Sequence, residues 1–202
     1  MLRETVYNEI FDSQRHFRTI LDSMSRPGKL NRFAPIPLTP PAGLAKPAAY
    51  VGLALLNADV SFHAELLGPE AVAYLRVNTH AQAAAPGLAD FFFVRGSDGG
   101  AAALIAEAKL GLPAYPETGA TFVFQVSRLG KSSNIGGLQL ELTGPGIETR
   151  EIIFVEGLNP DLITAIKTRN VEFPLGLDAM FVSEDESIMC LPRTTRVLVT
   201  NL

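Results

Sequence analysis

Two groups of side chains in this sequence have the composition of an anion site. The first lies on one amphipathic segment near the start, where Gln14, Arg15, Arg18 and Arg26 recur, with Lys29 and Arg32 just beyond. Guanidinium groups present paired N–H donors in a planar fork that suits phosphate, phosphonate and carboxylate oxygens. Together these residues would make a basic lip for a phosphonate, a nucleotide or an acidic partner surface. The second group lies near the end. Pro192-Arg193-Thr194-Thr195-Arg196 sets arginine and two hydroxyls on a short connection, and Asp178 precedes it on Phe173-Pro174-Leu175-Gly176-Leu177-Asp178.

Each group also has a plainer reading. Arg18, Asp22 and Arg26 stand at i, i+4 and i+8, the geometry of a surface ion-pair ladder worth about 0.2–0.5 kcal/mol per pair. On the later loop, threonines cap turns and an arginine covers a strand end. Asp178 is expected to bond to backbone amides where proline and glycine set a sharp turn into a strand.

Other motifs stop short of chemistry. Gly130-Lys131-Ser132-Ser133 echoes the end of a phosphate-binding loop, but Gln125 occupies the place of its first glycine. The segment also leads into a strand, so no helix N-terminus meets a phosphate there. In Gly144-Pro145-Gly146, Thr149 replaces the third glycine of a dinucleotide fingerprint, and strands flank it on both sides. His16, His63 and His80 lack metal-ligand spacing, and Cys190 is the only cysteine. A metal site would have to be built from His63, Glu65 and a distant group. No Gly-x-Ser-x-Gly nucleophile elbow occurs.

The elements that must position these groups follow from periodicity. Tyr7 to Met24 reads as a helix, with Ile10, Phe11, Phe17, Ile20, Leu21 and Met24 on one buried face and charges opposite. Gln14 falls within about 40° of that apolar axis at about 100° per residue. It is either a satisfied core amide or part of a face that meets another element or subunit. Pro27-Gly28 ends the helix, and the five prolines from Pro35 to Pro47 imply an extended connector. Further helices are expected at 48–57, 69–77, 101–110 and 160–168. Strands are expected near 60–66, 91–94, 121–126, 138–142, 152–155, 180–183, 187–191 and 196–200. Helices lead and strands follow, which favours a mixed sheet flanked by helices in one domain over residues 1–202.

Composition bounds the setting. A chain of 202 residues should bury roughly 70% of its unfolded surface and hold a core without staples. Hydrophobic residues are 47% and charged residues 19%. The mean hydropathy of +0.20 is high for a soluble monomer, either from size or from apolar surface covered by another chain. A net charge of −4 disfavours general nucleic-acid binding. One cysteine excludes an internal disulfide and suits a reducing, cytoplasmic compartment. Met1-Leu2-Arg3-Glu4-Thr5 shows no apolar signal core, and the run from Ala48 to Leu56 is too short to span a membrane.

Phe11-Asp12-Ser13-Gln14-Arg15-His16-Phe17-Arg18 and Met24-Ser25-Arg26-Pro27-Gly28 resemble the opening of the phosphonate C–P lyase system protein PhnH family. The later pieces keep the family's order: Pro116-Glu117-Thr118-Gly119-Ala120-Thr121, Leu142-Thr143-Gly144-Pro145-Gly146-Ile147, Phe173 to Asp178, and Leu191-Pro192-Arg193-Thr194-Thr195. Between about Leu30 and Pro113 there is little to match.

The resemblance implies an α/β fold like the large domain of PLP-dependent transferases, with no PLP expected. It implies a homodimer that joins PhnG, PhnI and PhnJ in a core complex. That complex converts an alkylphosphonate and ATP to ribose 1-alkylphosphonate 5-triphosphate, before a radical iron–sulfur subunit cleaves the bond. It supplies no catalytic residue. Lys29, Lys46, Lys109, Lys131 and Lys167 carry no recognisable Schiff-base signature. The expectation is a non-catalytic or co-catalytic subunit, with no nucleic acid and no membrane. The alternative is an autonomous phosphonate- or nucleotide-acting transferase, which needs Arg193 beside a base such as His63 or Asp178.

Overall fold

The computed structural model describes residues 3–201, so Met1 and Leu2 of the opening segment lie outside the described residues. The chain runs α1 (Phe11–Ser25), β1 (Asn31–Arg32), α2 (Lys46–Leu55), β2 (Ser61–His63), α3 (Pro69–Thr79) and β3 (Gln82–Ala83). It continues through β4 (Phe91–Arg95), α4 (Ala101–Glu107), β5 (Thr121–Val126), β6 (Arg128–Gly130), β7 (Leu138–Thr143) and β8 (Glu151–Glu156). Last come α5 (Pro160–Arg169), β9 (Asp178–Ser183), β10 (Ser187–Leu191) and β11 (Arg196–Asn201).

The described residues form a seven-stranded sheet, ordered β1-β10-β9-β5-β4-β2-β3, and a four-stranded sheet, ordered β11-β7-β8-β6. In the first, β3, β2, β4, β5 and β9 are parallel, and β10 and β1 add antiparallel pairs at one edge. The second is antiparallel throughout. Apart from β11 it is built between β5 and β9, together with α5.

Period-two alternation divides the core between two faces of the large sheet. Phe92, Val94, Phe122, Phe124, Ala179 and Phe181 face α4, α5 and the small sheet. Phe93, Val123, Met180 and Val182 face α1, α2 and α3. On the first face, Phe92, Phe122, Phe124 and Phe181 stack in a ladder with centroid spacings of 4.3, 5.6 and 5.2 Å. The two-residue strands β1 and β3, and the three-residue β6, were not anticipated, because so few residues display no period.

Helix α1 corrects the sequence reading twice. It begins at Phe11, not Tyr7, because the Asn8 side chain accepts from the backbone N–H of Ile10 and Phe11, while Asp12 accepts from Asn8 N–H. Its rotation differs too. Ile10, Phe11, Phe17 and Leu21 are 73%, 69%, 46% and 55% exposed, whereas His16, Ile20 and Ser23 are buried. His16 replaces the expected apolar contacts. Its ring packs among Tyr7, Phe33 and Tyr50, with Nε2 2.9 Å from the Ala34 carbonyl and Nδ1 3.3 Å from the Tyr7 hydroxyl. Both nitrogens are satisfied, so burial is tolerated. Burial also lowers the His16 pKa below its ordinary value of 6.5.

Two measurements follow. Replacing Phe122 by Ala should cost about 3–5 kcal/mol in urea unfolding, since it empties the middle of the ring ladder. As pH falls below about 6.5, the unfolded chain takes up a proton at His16 that the folded chain resists, so stability should drop. This contribution is at most about 1.4 kcal/mol per pH unit. The loss between pH 7.5 and 5.5 should be smaller in His16→Gln.

Candidate functional site

The first anion group forms a groove between α1 and β1, about 480 Å³ in volume, lined by Phe11, Gln14, Arg15, Arg18, Thr19, Asn31 and Arg32 together with the carboxylate of Asp22. Local sequence explains the geometry. Pro27 and the left-handed Gly28 (φ +82°) turn the chain sharply after α1, which returns Asn31 and Arg32 alongside it. Asp22 stands in the last turn of α1, ahead of this bend. It pairs with Arg26, accepts from Lys29 Nζ at 2.7 Å, and accepts from Asn31 Nδ2 at 2.7 Å. Arg32 donates to Asp185 at 2.9 Å, and Arg15 lies 3.9 Å from Asp12.

The expected ladder is therefore broken. Asp22 and Arg26 pair, but the Asp22 carboxylate is already shared with Lys29 and Asn31, and Arg18 makes no ion pair among the described residues. The lip is also shorter than expected. Gln14, Arg15, Arg18 and Arg32 line the groove; Arg26 and Lys29 are held at Asp22.

The second group serves a different purpose. Arg193 Nη2 donates to Asp178 Oδ2 at 2.6 Å and Nε to Oδ1 at 3.2 Å, while the Arg193 backbone N–H reaches Oδ1 at 2.7 Å. Arg193 Nη1 donates to the Pro116 carbonyl at 2.6 Å. Asp178 thus accepts one backbone amide, as expected, but chiefly holds a guanidinium. With side-chain exposures of 12% and 17%, the pair is a clasp that leaves Arg193 no free nitrogen for a ligand. The base and open cation required by the transferase reading are not set out here. Asp178 is consumed by Arg193, and His63 is buried with Nδ1 3.0 Å from the Ala84 carbonyl.

Segments that looked like separate turns meet around this clasp. A Cβ on Gly119 would lie 2.5 Å from the Gly176 carbonyl and 2.8 Å from Arg193 Nη1. One on Gly144 would lie 3.0 Å from the Thr194 carbonyl, and one on Gly146 would lie 2.5 Å from the Ser25 carbonyl. Five distant stretches therefore form one packed network, and glycine stands where backbones approach too closely for a side chain.

Thr194 and Thr195 line a second cavity of about 780 Å³, beside Lys167, Phe173, Arg196 and Leu198. Gln14, Arg15 and Arg18 are not among its walls. Lys167, in the last turn of α5 with Arg169, has no sequence signal linking it to this loop; only the tertiary fold brings it there. Among the described residues, no group of three or more His, Cys, Asp or Glu is arranged to hold a metal ion, and no helix is long and apolar enough to cross a membrane.

Removing one side of the clasp strands the other charge in a partly buried site. Asp178→Asn and Arg193→Ala should each lose about 3 kcal/mol in chemical denaturation.

Comparison with known proteins places the chain in a family. The family model for "Bacterial phosphonate metabolism protein (PhnH)" matches residues 5–198. The alpha-D-ribose 1-methylphosphonate 5-triphosphate synthase subunit PhnH of Rhizobium meliloti (strain 1021) is 30% identical over 193 residues, covering 93% of this chain and 91% of that protein. HtxG of Stutzerimonas stutzeri, which carries the name of a C-P lyase subunit, is 42% identical over 94 residues, 46% of this chain and 45% of its own. With one family model spanning both ends of the clasp network and the α1 groove, the chain belongs to the PhnH family of bacterial phosphonate metabolism proteins.

Proposed function

We propose that this chain is a docking subunit of the C–P lyase core complex, non-catalytic or co-catalytic, joining PhnG, PhnI and PhnJ. In that role it supports conversion of an alkylphosphonate and ATP to ribose 1-alkylphosphonate 5-triphosphate. The names of both relatives describe subunits, one of the synthase and one of a C-P lyase.

The observation that carries the reading is the outward face of α1. Ile10, Gln14, Phe17 and Leu21 follow at spacings of 4, 3 and 4, the pattern of a seam that packs against another helix. The three apolar members are about half exposed or more. Burying large apolar side chains contributes about 1.5–3 kcal/mol each, so leaving several on one face favours a partner that covers them. Gln14 within the seam would fix its register, as single polar residues do in helix pairs. Arg15 and Arg18 beside it would steer a partner with an acidic rim.

Without those subunits we expect a homodimer. We also read the architecture as the large domain of PLP-dependent transferases used without the cofactor. Three of the five lysines, Lys29, Lys109 and Lys131, are engaged with Asp22, Asp90 and Glu151. The buried, unpaired Cys190 suits a cytoplasmic setting, and the net negative charge suits a protein with no nucleic-acid partner.

Co-expression with the other core proteins tests the reading. The Phe17→Asp, Leu21→Asp double variant should keep its circular dichroism and melting temperature yet fail to co-elute with them. Full retention of a folded double variant in the complex would refute it.

A further inference from the structure

We infer that the cavity between α5 and the loop joining β10 to β11 binds a small ligand with an oxyanion head and an apolar body, such as an organic phosphate. The cavity combines three features that point to this chemistry.

The first is charge. Lys167 and Arg196 line it, neither makes an ion pair among the described residues, and no carboxylate is among its lining side chains. Two cations with no local counter-charge favour an anionic occupant. The second is the loop. Thr194 lines the cavity beside these cations, and a threonine hydroxyl can donate to an oxyanion. The third is the wall. Ile163, Ile166, Leu191 and Val197 supply buried apolar surface, and Val171, Phe173 and Leu198 at the rim are 76%, 74% and 63% exposed. A volume of about 780 Å³ suits a small molecule with a substantial body, not a bare ion.

The clasp gives the site its rigidity. Arg193 also lines the cavity, but its guanidinium is spent on Asp178 and the Pro116 carbonyl, so it holds the Thr194-Thr195 turn in place. Anion recognition passes to its neighbour Arg196 and to Lys167 from α5. This assignment does not rest on the docking role, which uses a different helix.

Titration of the full chain with phenyl phosphate, inorganic phosphate and benzyl alcohol, followed by calorimetry and amide chemical shifts, tests it. Phenyl phosphate should bind about tenfold or more tightly than either fragment. The Lys167→Ala, Arg196→Ala double variant should weaken it by about tenfold or more. Arg76→Ala, which removes an exposed cation from α3, should leave affinity unchanged. Equal affinity for phenyl phosphate and inorganic phosphate, equal weakening by Arg76→Ala, or no saturable binding would overturn the assignment.

Discussion

The fold depends on strands that have no side for water. In β4, β5 and β9, consecutive residues such as Phe92 and Phe93, or Phe122 and Val123, are fully buried on opposite faces. Such strands need two covering layers. The chain supplies α1, α2 and α3 for one face. For the other it uses α4, α5 and an entire second sheet, three of whose strands lie between β5 and β9.

That constraint explains why the two arginine groups behave differently. Arg193 lies where the end of β10, the start of β9 and the Pro116 turn converge, and bringing them together leaves a partly buried cation that Asp178 must balance. Arg15 and Arg18 lie on a helix that packs on α2 and β10 through a satisfied imidazole, Ile20, Ser23 and the half-buried Met24. That packing leaves Phe11, Phe17 and Leu21 of the same helix facing outward. Shape, not a reactive centre, is what α1 presents.

Strand positions were legible because Phe, Val, Ile and Met alternate without a break; β5 and β10 fall at the residues that periodicity indicates. The first helix was legible as a helix but not in its rotation. A periodic stripe reports that one face is apolar and does not say whether the chain's own core or another surface will cover it. The burial of His16 had no apolar signal at all and depends on Tyr7, Phe33 and Tyr50 arriving from elsewhere. In the same way Asp178 and Arg193 were both visible, but their pairing was not, because two strands and a turn separate them in sequence. Lys167 became notable only once α5 packed beside the Thr194-Thr195 turn.

The account stands or falls on what covers α1. Amide hydrogen exchange, compared between the chain alone and the chain in a reconstituted core complex, reads this directly. We predict that exchange slows across residues 11–25 in the complex while α3 is unchanged. Identical exchange in α1 in both states would contradict the account.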